Sequence, residues 1–246
     1  MSKRILLIIG IVFAPLVAHG GIQPRIIGGD DVTVAAEASF VSALVSNDDN
    51  GVFCTASLIA PNWIMVAAHC LVLDNDSSLA PEDLDVFFDN IDKASGLSDR
   101  QSVDAVLIHP SYNDITLDYD IALLHLPTPA TGVDTGSVAD LDALARMLDS
   151  AAGDDELLLY GWGAISLSGE LATYPDTLQQ VRMDFLDAAS CNAYYNIPIS
   201  DALHVCAWEP DPEPLDENGE DSCFGDSGGP LISDVDGQPW IVGMTS

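Results

Sequence analysis

Three short segments of the sequence hold residue types that together can perform nucleophilic chemistry. VAAHC places His69 at the end of an apolar run, DIALL opens on Asp120, and GDSGGP surrounds Ser227 with Gly225, Gly228 and Gly229. A serine hydroxyl is a weak nucleophile at neutral pH. It needs a base to take its proton, a third group to orient that base, and donors for the oxyanion that forms on attack at a carbonyl. His69, Asp120 and Ser227 are candidates for base, orienting group and nucleophile. The glycines let backbone pass close to a substrate. Each residue type alone is common and usually does no chemistry, so it is the three contexts together that single these out. His109, His125 and His204 lack such a context, and His125 in IALLHL reads as structural.

Residues so far apart along the chain need a rigid scaffold to meet. After residue 25 the sequence reads as short apolar runs separated by Gly, Pro, Asn, Asp and Ser. Strands are predicted at 40–46, 52–60, 63–67, 103–108 and 121–126 in the first half. In the second half they are predicted at 156–160, 178–185, 204–208, 230–233 and 240–245. This spacing predicts an all-β barrel or sandwich rather than alternating β and α. Residues 138–150 and 187–195 are predicted as short helices, the second capped by Asp187. The stretch 126–136, with Pro127, Pro129, Gly132 and Gly136, reads as a linker between two halves of similar size. The acidic, proline-rich stretch 209–220 (EPDPEPLDENGE) reads as an exposed loop. It lacks the ligand spacing of a calcium loop, so no metal or other cofactor is expected.

Charge narrows the partners. Against 39 acids stand 7 bases, a formal net of −32 at pH 7, which disfavours nucleic acid and anionic membranes and favours cationic partners. With 48% apolar residues the chain is still able to form a core, so the charge reads as a solvated surface rather than disorder. Lys3 and Arg4, the apolar run 5–17 and the small residues near Gly20 predict a secretory signal over 1–20. No other run approaches membrane-spanning length, so an extracellular or periplasmic protein without a stable membrane span is expected. Its five cysteines, Cys54, Cys70, Cys191, Cys206 and Cys223, would then lie in an oxidising compartment where pairing is favoured, with one left over.

In the order His, Asp, Ser, the segments around His69, Asp120 and Ser227 resemble the signature of the trypsin-like (chymotrypsin-fold) serine endopeptidases. RIIGG at 25–29, FCTASLI at 53–59, HPSYN at 109–113 and GWG at 161–163 extend the resemblance through most of the chain. It implies two packed six-stranded antiparallel β-barrels, over 26–130 and 131–246, after a propeptide of residues 21–25. It also implies that His69 is the general base, that Asp120 orients it, and that Ser227 is the nucleophile. The N–H groups of Gly225 and Ser227 would form the oxyanion hole.

The resemblance further implies a zymogen, cut by an activating protease after Arg25. The new amine of Ile26 would fold inward and pair with Asp226. Asp221 would sit in the primary substrate pocket, with Ser246 on the segment beside it, favouring protein or peptide substrates with Arg or Lys. Without residues 1–25 only Lys93, Arg100, Arg146 and Arg182 remain against 39 acids, a net of −35, so such an enzyme would offer itself few cutting sites.

Disulfides Cys54–Cys70 and Cys191–Cys206 are implied by the same resemblance. The family's mate for Cys223 lies downstream of the position of Ser246, which implies that the pocket wall and the second barrel are incomplete in the sequence given. Thr55 and Ala56 stand where the family usually has two glycines. The alternative expectation is an inactive truncated homologue or a binding module of the same fold.

Overall fold

A computed structural model of the chain describes residues 29–73, 77–150, 156–168, 171–193, 198–200, 202–208, 222 and 224–246. After the short strand β1 (Asp30–Asp31) come β2 (Val41–Ser46), β3 (Val52–Ala60), β4 (Trp63–Val66) and β5 (Leu84–Phe87). Helix α1 (Lys93–Ser98) leads to β6 (Gln101–Ser102), β7 (Ala105–Ile108) and β8 (Ala122–His125). Strands β2 to β8 form one seven-stranded sheet in the order β6-β5-β2-β3-β4-β8-β7. Its paired strands run antiparallel throughout.

Helix α2 (Leu141–Ser150) precedes β9 (Glu156–Gly161), the small pair β10 (Ser166–Ser168) and β11 (Leu171–Thr173), and the long β12 (Gln179–Leu186). Helix α3 (Ala188–Cys191), β13 (Cys206–Trp208), β14 (Pro230–Val235) and β15 (Gln238–Met244) complete the order. The second sheet runs β1-β12-β9-β14-β15, with β13 also on β12. Strand β1 therefore belongs to the second sheet: Asp31 faces Gln179, and Val32 N–H donates to Leu178 O at 2.8 Å. The first described residues strap the two halves together.

Strands β2 and β4 bury both faces, which is why they read as apolar runs more than as alternation. On β2, Leu44 enters the core inside the first sheet, while Val41, Ala43 and Val45 enter a second core between the halves. On β4, Ile64 and Val66 face inward and Met65 faces the second half. From the other side Tyr160, Trp162, Leu178, Ile232 and Ile241 complete that shared core. Leu157, Leu159, Val181, Met183, Leu231 and Val235 fill a third core inside the second sheet. The stretch 126–136 is laid against the β3–β4 hairpin, with Ala130 N–H donating to Pro61 O at 2.7 Å and Gly136 N–H to Leu58 O at 2.8 Å.

The all-β expectation holds, and each expected strand is present with ends moved by no more than two residues. The helix expected over 138–150 begins only at Leu141. The helix expected over 187–195 is shorter, ending at Cys191. Asp187 does cap it, accepting from Ser190 N–H at 2.9 Å. It stops because the Asn192 side chain turns to the backbone of Ile199, donating at 2.8 Å and accepting at 2.8 Å, and offers the chain an alternative to a further helical turn. Cys191 is tied at the same point to Cys206.

Leu58, fully buried inside the first sheet, tests the packing. Leu58→Ala is expected to cost about 2–5 kcal/mol, read as a lower urea midpoint with little change of slope.

Candidate active site

Strand register brings the first two candidates together. On antiparallel β4 and β8, Val66 lies opposite Ala122. The three residues after Val66 and the two before Ala122 therefore leave the sheet at one end. There Ala68–Cys70 form a single 3-10 turn that carries His69, and Cys70 is bonded to Cys54 on β3 at an S–S distance of 2.04 Å. Asp120 reaches this turn with both oxygens. One accepts from His69 N–H at 2.8 Å and the other meets His69 Nδ1 at 2.7 Å. The Asp120 side chain is 3% exposed and that of His69 29%, so the carboxylate is buried while the imidazole edge remains accessible.

A third donor, Ser246 Oγ–H, reaches Asp120 Oδ2 at 2.5 Å. Burial pushes the Asp120 carboxyl up, but the hydrogen bonds from His69 and Ser246 and the charge of His69 outweigh it, leaving it below the usual carboxylate range. An ionised carboxylate can only accept, so Nδ1 carries the imidazole proton and Nε2 presents its lone pair outward. Tyr112, in the loop before Asp120, is pushed up to about 12, first by burial and then by the charges of Asp120 and Asp114. It stays neutral and does not compete as a base.

Ser227 arrives from the second half on the loop before β14. Its carbonyl accepts from Thr55 N–H of β3 at 2.9 Å and lies 3.7 Å from Cys70 Sγ, which is itself 4.0 Å from His69 Nε2. The serine backbone is thus seated against the disulfide that holds the histidine turn. Among the described residues no hydrogen bond joins Ser227 Oγ to Nε2. In substrate-free sites this contact is often long and tightens in the substrate complex.

Glycine is required in the loop. Gly228 has φ +81°, and a Cβ there would lie 2.4 Å from Thr55 O. The N–H groups of Gly225 and Ser227 have no protein acceptor among the described residues, as an oxyanion site needs.

Asp226, next to Ser227, is fully buried, and its Oδ1 accepts from Gly163 N–H at 2.7 Å. Its carboxylate fills the space beside GWG: a Cβ on Gly161 or Gly163 would come within 1.9 or 2.2 Å of an Asp226 oxygen. Arg25, Ile26, Asp221 and Cys223, and the loop 209–220, lie outside the described residues. Cys54, His69 and Cys70 cluster as metal ligands would, but both sulfurs are consumed by their disulfide and are not thiolate donors. The second expected disulfide, Cys191–Cys206, is also formed.

Two contacts go beyond the sequence reading. Ser246, expected beside the substrate, also bonds Asp120; nothing in IVGMTS signals a contact across 126 residues. Thr55, noted only as a departure, bonds the loop of Ser227 through its side chain. The signal for it was a hydroxyl residue in a position usually held by glycine.

The family description Trypsin matches residues 26–246 of the chain. Trypsin of Sus scrofa is 33% identical over 210 residues, covering 85% of this chain and 79% of its own length. Trypsin-3 of Salmo salar is 32% identical over 214 residues, covering 85% and 77%. Coagulation factor IX of Cavia porcellus is 29% identical over 227 residues, covering 90% and 72%.

The lowered Asp120 value has a consequence for stability. A carboxyl depressed in the folded state contributes stability above its unfolded value, near 3.9, and loses it as pH falls through the lower folded value. The stability advantage of the wild type over Asp120→Asn, followed by urea unfolding, is expected to shrink as pH falls below about 4.

Proposed function

The chain belongs to the trypsin family and is a serine-type endopeptidase, and we propose that it works through His69, Asp120 and Ser227 by way of an acyl-enzyme. Nε2 of His69 takes the Ser227 proton as Oγ attacks the scissile carbonyl carbon. The oxyanion is received by the N–H groups of Gly225 and Ser227. His69 then returns the proton to the leaving amine as the C–N bond breaks, and a water molecule, deprotonated by the same nitrogen, hydrolyses the ester. Asp120 keeps the tautomer and stabilises the imidazolium.

The observation that carries this reading is the Asp120–His69 pair at 2.7 Å, set beside a glycine-rich loop whose two N–H groups have no protein acceptor among the described residues. No observation favours the binding-module reading. Ser227→Ala is expected to lower kcat by roughly 10^4- to 10^6-fold, and Asp120→Asn by about 10^4-fold, magnitudes borrowed from triad enzymes at large. An organophosphate should label the wild type at Ser227. Hydrolysis that survives Ser227→Ala, or an activated wild type that resists labelling, would overturn the mechanism.

Cleavage after Arg or Lys is the specificity we propose, with Asp221 facing the substrate's cation and Ser246 on the adjoining segment. The support is the unbroken register from Asp221 to Ser227. Asp221→Ser should reduce kcat/KM for arginyl peptides by at least about 100-fold while sparing apolar ones, since a charge-assisted contact is lost. Equal turnover of arginyl and apolar peptides by the wild type would refute it.

The proposal extends to a secreted zymogen, with a signal over 1–20, a propeptide over 21–25 and barrels over 26–130 and 131–246. Cleavage by another protease after Arg25 would let the amine of Ile26 pair with Asp226, whose side chain is buried beside the GWG segment. The acidic surface suits cationic substrates, and Lys93, Arg100 and Arg146 are engaged with Asp176, Asp85 and Asp236.

A further inference from the structure

We infer that Thr55 is a positioning residue for the oxyanion site, its hydroxyl clamping the peptide planes that aim the Gly225 N–H. This inference rests on the catalytic reading of Ser227 and deepens it. Thr55 lies on β3 in the first half of the chain and is fully buried. Its Oγ1–H donates to Gly225 O at 2.8 Å, and the same oxygen accepts Trp162 N–H at 3.1 Å. One hydroxyl therefore joins the serine loop to the GWG segment that surrounds Asp226.

The consequence follows from peptide planarity. The Gly225 N–H shares a rigid plane with the Phe224 carbonyl, and the Gly225 carbonyl lies in the next plane. Between those planes only φ and ψ of Gly225 turn, and φ stands at +100°, in a region where glycine meets little resistance to rotation. Glycine alone would leave the direction of this N–H weakly specified.

The planes are held from outside instead. Ala164 N–H donates to Phe224 O at 2.9 Å, and Thr55 Oγ1–H donates to Gly225 O. With both carbonyls fixed, the N–H between them points in one direction. Ser227 N–H is set in the same way, since Asp226 O in its plane accepts Gly229 N–H at 2.7 Å. Among these anchors the Thr55 bond to Gly225 O is made by a side chain, so a substitution can remove it. Thr55 N–H also holds Ser227 O at 2.9 Å, a backbone contact that substitution leaves in place.

The test compares Thr55→Val, which keeps the shape and removes the hydroxyl, with Thr55→Ser, which keeps the hydroxyl. Both are made in the activated enzyme and assayed with a peptide p-nitroanilide and by the rate of organophosphate labelling. Thr55→Val should lower kcat about 10- to 100-fold with KM within roughly threefold, and slow labelling to match, as loosened transition-state donors predict. Thr55→Ser should stay within about threefold of the wild type in each measure, because its hydroxyl can make the same two bonds. Should Thr55→Val not accumulate, Thr55→Ala removes the hydroxyl without the extra methyl and takes the same readouts.

Unchanged kcat in the hydroxyl-free variant, a loss confined to KM, or a Thr55→Ser as slow as Thr55→Val would overturn the inference while leaving the triad intact. A wild type that neither hydrolyses the substrate nor is labelled at Ser227 would overturn both.

Discussion

A carboxylate is buried at Asp120, and the rest of the site is arranged around the need to keep it charged. Removing an ionised group from water is costly unless hydrogen bonds replace the lost hydration. Here three donors do so: the backbone and ring nitrogens of His69 and the hydroxyl of Ser246. The compensation is also what gives the histidine its direction. Because Asp120 grips both the backbone and the ring of His69, the imidazole is fixed in rotation as well as in tautomer. The accessible nitrogen faces the edge where Cys70 and the Ser227 carbonyl meet.

That arrangement needs both halves of the chain at once. His69, Asp120 and Thr55 come from the first sheet and its edges, whereas Ser227, Gly225 and the GWG segment come from the second. What keeps them in register is the shared core, where Val41, Ala43, Val45 and Met65 pack against Tyr160, Trp162, Ile232 and Ile241. Strand β1, paired with β12, adds a backbone tie between the halves. A shift of either sheet would move the nucleophile relative to its base, so packing far from the cleft sets the geometry inside it.

Much of this was legible in the sequence because local signals were strong. Apolar runs bounded by turn residues marked the strands, and the contexts of His69, Asp120 and Ser227 marked the candidate site. Strand β5 and helix α1 carry no comparably strong local signal. The first has four residues, LDVF, directly after the acidic turn Pro81–Asp83; the second contains Gly96, a poor helix former. Its capping by Asp92, which accepts from Ser95 N–H at 2.8 Å, is a short-range signal that only the folded backbone makes decisive. The contacts of Ser246 with Asp120 and of Thr55 with Gly225 span 126 and 170 residues. Pairings that distant leave no periodicity behind, and topology alone creates them.

The central claim is that Ser227 becomes covalently acylated during turnover. Rapid mixing of the activated enzyme with a slowly deacylating nitrophenyl ester, followed by peptide mapping of the quenched protein, tests this most directly. The account predicts a burst of one equivalent of nitrophenol per active chain, with the acyl group on the peptide containing Ser227. A linear release with no burst and no acyl adduct, at enzyme concentrations where the ester is turned over, would contradict it.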